Sequence, residues 1–213
     1  VEEPFDNSTV KPSSPSSRPT GEGIVIDIGT GDGLFVYRLA QQNPRKFFIG
    51  VDASPRPLEK ISEKIHRRKG GLPNVLFLQS SVEELPPELD GIADEVHIHF
   101  PWGSLLGAVA AGDEKILRSL RRVCAREALL EIIIGLDPAR DRAEIERLGI
   151  CPLTVEFIDA HLRERYRNAG FEIIERGALP SSRWAKLETS WAKRLGGNQN
   201  REVIYIIARA IYE

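Results

Sequence analysis

The 213-residue chain has no methionine, two cysteines and few aromatic residues (7%). Methionine is missing even at the first position, so the sequence is expected not to open at a translation start. Cys124 and Cys151 offer neither metal-ligand spacing nor a disulfide framework, so buried, reduced thiols in a cytoplasmic protein are expected. No apolar run approaches the roughly 20 residues that a membrane-spanning helix needs, and the amino terminus shows no signal-peptide pattern. An excess of basic charge is also lacking. With 29 Lys and Arg against 31 Asp and Glu, the net charge is -2, and any contact with nucleic acid must come from a local basic patch. What is present, 41% hydrophobic and 28% charged residues, suffices for one globular domain with an ample core.

Residues 1–22 are rich in Ser, Pro, Glu and Gly and cannot bury enough apolar surface to order themselves, so a flexible tail is expected before a domain at 23–213. Strand-like runs are expected at about 24–28, 47–51, 75–79, 94–99 and 128–135, alternating with helices near 33–43, 55–68, 113–124 and 155–169. Such alternation argues for a mainly parallel sheet with helices on both faces. Phe171–Arg176 and Val203–Ala208 read as two closing strands that flank a short helix at about 183–195. Two insertions, at about 136–154 and 178–200, leave or adjoin the carboxyl ends of strands, where open α/β sheets bind ligands.

The most informative stretch is Ile24-Val-Ile-Asp-Ile-Gly-Thr-Gly-Asp-Gly33. An apolar run ends in an acid and turns over three glycines, which let the backbone approach a ligand closely. Asp52 ends the next apolar run, a spacing that suits a carboxylate reaching ribose hydroxyls across a βαβ unit. The third glycine comes one residue earlier than in the dinucleotide pattern G-x-G-x-x-G, since position 34 is Leu. There is also no Tyr-x-x-x-Lys pair, which weighs against a nicotinamide-dependent oxidoreductase. The tighter spacing, with Asp27 just before it, resembles motif I of the Rossmann-like methyltransferases that use S-adenosylmethionine. In that setting Asp27 can face the ammonium group of the cofactor.

Phe100-Pro-Trp-Gly103 follows the fourth strand, where cofactor and substrate should meet. Trp191 sits in the charged segment Glu188-Thr-Ser-Trp-Ala-Lys-Arg-Leu195, a poor setting for a core residue. Two tryptophans from separate loops can sandwich a flipped base, each stack contributing about 1–3 kcal/mol. Trp184 is an alternative outer partner that spacing does not exclude. Lys64, Arg67, Arg68 and Lys69, with Arg194 and Arg201, can touch RNA phosphates through salt-sensitive contacts; for the first cluster the alternative is a solvated helix face. Arg140, Arg142 and Arg147 of the first insertion could also reach RNA or form a surface charge mosaic. His97 and His99 alternate along one strand face, but no Cys or carboxylate at ligand spacing supports a metal site, and none is expected.

Taken in order, GTGDG, GVDAS, KGGLPN, EELP, HFPWGSLL and ETSWAKRL resemble the 16S rRNA adenine-N1 methyltransferases of the Kam/Npm type, from about residue 24 to 212. That family confers aminoglycoside resistance by modifying adenine 1408 of the ribosomal decoding site. The resemblance implies an α/β fold of the Rossmann-like class I type, with a mostly parallel seven-stranded sheet and an antiparallel last strand. It implies S-adenosylmethionine as cofactor, S-adenosylhomocysteine as product, 16S rRNA within the 30S subunit as partner, no membrane and a monomer. It places Asp27, Gly29, Thr30, Gly31, Asp52 and Ala53 on the cofactor, with Ser81, Val82 and Glu83 around its adenine. Phe100, Pro101, Trp102, Thr189 and Ser190 complete the cofactor site, while Trp102 and Trp191 stack on the target base and Thr189 helps to position it. The chain departs from the family at Gly196-Gly-Asn-Gln-Asn200, where the family carries extra basic residues. Rival readings are a tRNA base methyltransferase, which in the guanine-N7 enzymes also has a proline-tryptophan motif, a small-molecule N-methyltransferase, the oxidoreductase, and an RNA-binding module without catalysis.

Overall fold

The computed structural model describes residues 22–179 and 202–211. Seven strands form one sheet in the order β3-β2-β1-β4-β5-β7-β6. They are β1 (Ile24–Ile28), β2 (Phe47–Asp52), β3 (Val75–Gln79), β4 (Ala93–His99), β5 (Cys124–Leu136), β6 (Phe171–Leu179) and β7 (Glu202–Ala210). Only β7 runs against the rest, pairing antiparallel with both β5 and β6. The expected sheet and its antiparallel last strand are therefore present.

Every residue of β1 is buried, because the strand lies between β2 and β4 and is covered on both faces. Ile24, Ile26 and Ile28 join the larger core with α3 (Gly103–Ala111), α4 (Glu114–Val123) and α7 (Arg163–Asn168). Val25 joins the opposite core, built on α1 (Leu34–Gln42) and α2 (Pro55–Ile65). Period-two alternation puts Asp27 on the Val25 face, so an acid occupies a position that burial would otherwise give to an apolar side chain.

Several boundaries differ from expectation. The second helix stops at Ile65 and not 68, so Arg67, Arg68 and Lys69 lie in the following turn. Leu72 N–H donating to the Ile65 carbonyl (3.0 Å) closes that turn. The fifth strand begins at Cys124, four residues early, since β4 already pairs there through Ala93. Two helices were not expected: α3, apolar on all sides, and α5 (Arg142–Leu148) inside the first insertion. The helical run at 155–168 is not uniform; α6 (Val155–Phe157) passes through a π-helical stretch (Ile158–Leu162) before α7. Cys124 is buried, and burial pushes its thiol up to about 12, but Cys151 is exposed, contrary to expectation. The tail before residue 22, the helix expected at 183–195 and nearly all of the second insertion lie outside the described residues.

Candidate active site

A cleft of about 260 Å³ opens at the carboxyl ends of β1, β2 and β4. Ile28, Gly29 and Gly31 form one wall, Asp52 and Ala53 the next, and Ser80, Ser81, Val82 and Glu83 a third. Phe100, Pro101, Trp102, Ser104 and Leu105 close it. Ten of the residues expected from the sequence therefore meet in one place. Ile28, Ser80, Ser104 and Leu105 were not assigned there, although Ser104 and Leu105 belong to the HFPWGSLL run.

The glycine turn is held by backbone bonds from Gly29 and Thr30 to the Val51 carbonyl (2.8 and 3.0 Å). Gly33 starts α1 with φ of 67°, and a Cβ there would lie 2.5 Å from the Phe77 ring. Its role is close packing of helix on strand as well as turning. Asp52 fixes the turn from the other side: Oδ2 accepts from Gly31 N–H (2.8 Å) and Oδ1 from Ser54 N–H at the start of α2 (2.9 Å). Each oxygen keeps a second lone pair, so Asp52 is oriented but not exhausted as an acceptor.

Phe100 has φ of 51°, a conformation that costs a non-glycine residue roughly 1–2 kcal/mol. Its N–H donates to the Ile133 carbonyl (2.7 Å), and its ring packs with Ile133 and Val203. This anchored corner turns the chain out of β4 and sets Pro101 and Trp102 on the cleft. Trp102 is 45% exposed, so it is not a plug on the core.

Asp27 and Thr30 do not line the cleft; both are buried under the glycine turn. Burial pushes the Asp27 carboxyl above the usual carboxylate range, opposed chiefly by the nearby His99 imidazole. His97 and His99 stack in parallel on this face, with His99 2.6 Å from Glu131 and His97 3.5 Å from Glu95. Among the described residues, no group of three or more potential metal ligands is found. Lys64 lies over the Tyr37 ring (3.9 Å), while Arg67, Arg68 and Lys69 are exposed. Arg140, Arg142 and Arg147 pair with Asp137, Glu146 and Glu144, the mosaic alternative. Trp184, Thr189, Ser190, Trp191, Arg194 and Arg201 lie outside the described residues.

Strand order and cleft together define the class: a Rossmann-like methyltransferase that depends on S-adenosylmethionine. A crystal structure from Catenulisporales acidiphilia, of a tryptophan-to-alanine variant of a 16S rRNA (adenine(1408)-N(1))-methyltransferase with cosubstrate SAM, superposes with a TM-score of 0.83 at 32% identity. It covers 92% of this chain and 88% of that one. The crystal structure of the aminoglycoside resistance methyltransferase NpmB1 matches at 44% identity with a TM-score of 0.79, covering 91% of this chain and 89% of that one. The family model described as "NpmA: 16S rRNA (adenine(1408)-N(1))-methyltransferase" matches residues 15–210, and the chain belongs to that family. Two relatives of that name, from Streptoalloteichus hindustanus and Escherichia coli, are each 36% identical over 181 residues. These alignments span 84% of this chain and 82% and 83% of the relatives.

Proposed function

We infer that this protein transfers the methyl group of S-adenosylmethionine to N1 of adenine 1408 in 16S rRNA, conferring aminoglycoside resistance. The residues present fit the cofactor. Glycines without side chains leave room along one wall, Val82 and Leu105 supply apolar surface, and Asp52 offers lone pairs beside the turn. Asp52 would hold the ribose and Asp27 the ammonium group, with Ser81, Val82 and Glu83 at the adenine. Bound there, the cofactor supplies an electrophilic methyl group on a sulfonium.

The observation that carries the reading is Trp102, half-exposed at the cleft mouth on a strained corner. An unpaired adenine N1 has a free lone pair at neutral pH, so no general base is needed before transfer. What the chain contributes is orientation and proximity. Trp102 provides one stacking face and Trp191 the other, with Thr189 positioning the base between them. Facing indoles also favour the cationic product ring by about 0.5–2 kcal/mol. The assembled 30S subunit is the substrate, with the exposed Arg67, Arg68 and Lys69 meeting phosphates; Lys64, Arg194 and Arg201 are proposed for the same role. The protein acts as a cytoplasmic monomer; no helix among the described residues is long and apolar enough to cross a membrane.

Primer extension on 16S rRNA tests the reading, because N1 methylation blocks pairing and stops the polymerase. After incubation of 30S subunits with protein and cofactor, a stop is expected at the position of adenine 1408. A stop elsewhere, or methyl transfer to tRNA or free nucleosides in its place, overturns the assignment. Trp102→Ala should lower turnover roughly tenfold or more, the equivalent of one lost stack. Binding of S-adenosylhomocysteine should weaken less than turnover does.

A further inference from the structure

The wall of the cleft read above as the adenine subsite is a single 3-10 turn, Val82–Glu84, entered from Ser81 in an extended conformation. Glu84 N–H closes the turn on the Ser81 carbonyl (3.2 Å). The N–H groups of Val82 and Glu83 come before that bond and have no partner within the turn. The carbonyls, by contrast, are held from the protein side. Ser80 Oγ donates to the Glu84 carbonyl (2.9 Å). From α4, Arg122 Nη2 donates to the Leu85 carbonyl (2.5 Å), while its Nη1 binds Asp90. Ser119 Oγ, also on α4, donates to the Val82 carbonyl (2.5 Å).

A serine inside a helix commonly returns its hydroxyl to the carbonyl one turn earlier or leaves it to solvent. Here the hydroxyl crosses to another element, because α4 packs on the turn: Val82 and Leu85 share a core with Ile116, Leu117 and Leu120. Ser119 does not line the cleft, so the Val82 carbonyl that faces it points out of the cleft. A trans peptide, as this one is, sets its C=O and N–H in opposite directions. The N–H of the Val82–Glu83 peptide belongs to Glu83. The bond from Ser119 therefore turns the Glu83 N–H towards the cleft.

We propose that Ser119 is a positioning residue for cofactor recognition: by holding the Val82 carbonyl against α4 it aims the Glu83 N–H at the purine, and so selects adenine, whose N1 carries a lone pair, over hypoxanthine, whose N1 carries a hydrogen. The proposal deepens the reading of Ser81, Val82 and Glu83 as the adenine wall and rests on it. At adenine N1 the backbone donor meets an acceptor. At hypoxanthine N1 two N–H groups face each other, and neither is satisfied. Removing the Ser119 hydroxyl leaves the Val82 carbonyl without its donor, so the peptide is released to turn towards water. The Glu83 N–H then loses its aim, while the side chains along the wall stay in place.

Calorimetric titration compares S-adenosylhomocysteine with its hypoxanthine analogue, S-inosylhomocysteine, on wild type, Ser119→Ala, Ser119→Thr and Asp113→Ala. Wild type should prefer the adenine ligand. In Ser119→Ala that preference should shrink about tenfold, through weaker binding of S-adenosylhomocysteine, with S-inosylhomocysteine bound within about twofold of wild type. Ser119→Thr keeps the hydroxyl and should recover the preference. Asp113→Ala removes the side chain that caps α4 by accepting from Ile116 N–H but leaves Ser119 intact, so it should keep the wild-type preference. An equal loss for both ligands in Ser119→Ala, an unchanged preference, no recovery in Ser119→Thr, or the same shrinkage in Asp113→Ala overturns the proposal and leaves the adenine placement standing. Equal binding of the two ligands by wild type removes that placement as well. Thermal unfolding of each variant confirms that it is folded.

Discussion

At the scale of single residues, the site depends on positions where a side chain must be absent and positions where one must be held still. Gly33 is the first kind. Gly33→Ala adds a Cβ 2.5 Å from Phe77 at a φ of 67°, combining backbone strain of roughly 1–2 kcal/mol with overpacking of roughly 1–3. Denaturant unfolding should show a loss of about 2 kcal/mol or more. Asp52 is the second kind. Asp52→Asn leaves one acceptor oxygen for two backbone donors, Gly31 N–H and Ser54 N–H. An unsatisfied donor of this kind costs about 1–3 kcal/mol. S-adenosylhomocysteine should accordingly bind about tenfold or more weakly in calorimetry, with α2 loosened in hydrogen exchange. Asp52 was legible in the sequence because an acid closing an apolar run at this distance from a glycine turn has few other uses. The His99–Glu131 pair was not. The two residues are 32 positions apart, on strands whose register only the folded sheet defines.

At the scale of elements, β1, β2 and β3 were found within a residue, since each is a short apolar run bounded by turn-forming residues. Helix α3 was missed because it is apolar all round, with no 3.6-residue period for a reader to detect. Its stop signal was present: Gly112 adopts the left-handed conformation, and Asp113 then caps α4 by accepting from Ile116 N–H (2.9 Å). Asp113→Ala should cost about 1 kcal/mol in chemical unfolding, within the usual range for a lost cap. Farther along, the Tyr166 hydroxyl on α7 donates to the Val109 carbonyl of α3 (3.0 Å) in a fully buried contact. Tyr166→Phe leaves that carbonyl without its donor and should destabilise by about 1–2 kcal/mol, with exchange accelerated in α3 and α7 and the cleft residues of α3 less well held.

At the scale of the whole molecule, a mostly parallel sheet converges on one carboxyl edge, and every described residue expected to touch the cofactor is carried to that edge or just beneath it. Acid should attack the charge pairs that Glu95 makes with His97 and Lys46. His97, followed by Lys46, holds the Glu95 carboxyl down at about 2. The ionised form is favoured in the folded state, so this stabilisation is present above the ordinary carboxylate value and is lost as pH falls towards 2. Because Glu95 is about one-third exposed, screening leaves roughly 1–2 kcal/mol. Urea unfolding at neutral and acid pH should show that loss in wild type and a smaller one in Glu95→Gln. The sequence by itself determined the strand pattern, the glycine turn, the acid at Asp52, the proline-tryptophan corner and the family, because those signals are local or lie in a short ordered series of motifs. Only the tertiary structure decided that Asp27 lies under the turn against two histidines, that Phe100 is strained to present Trp102, and that Ser104 and Leu105 complete the cleft. Those facts arise where separate strands come into register and a helix covers them, and no single stretch of chain specifies that packing.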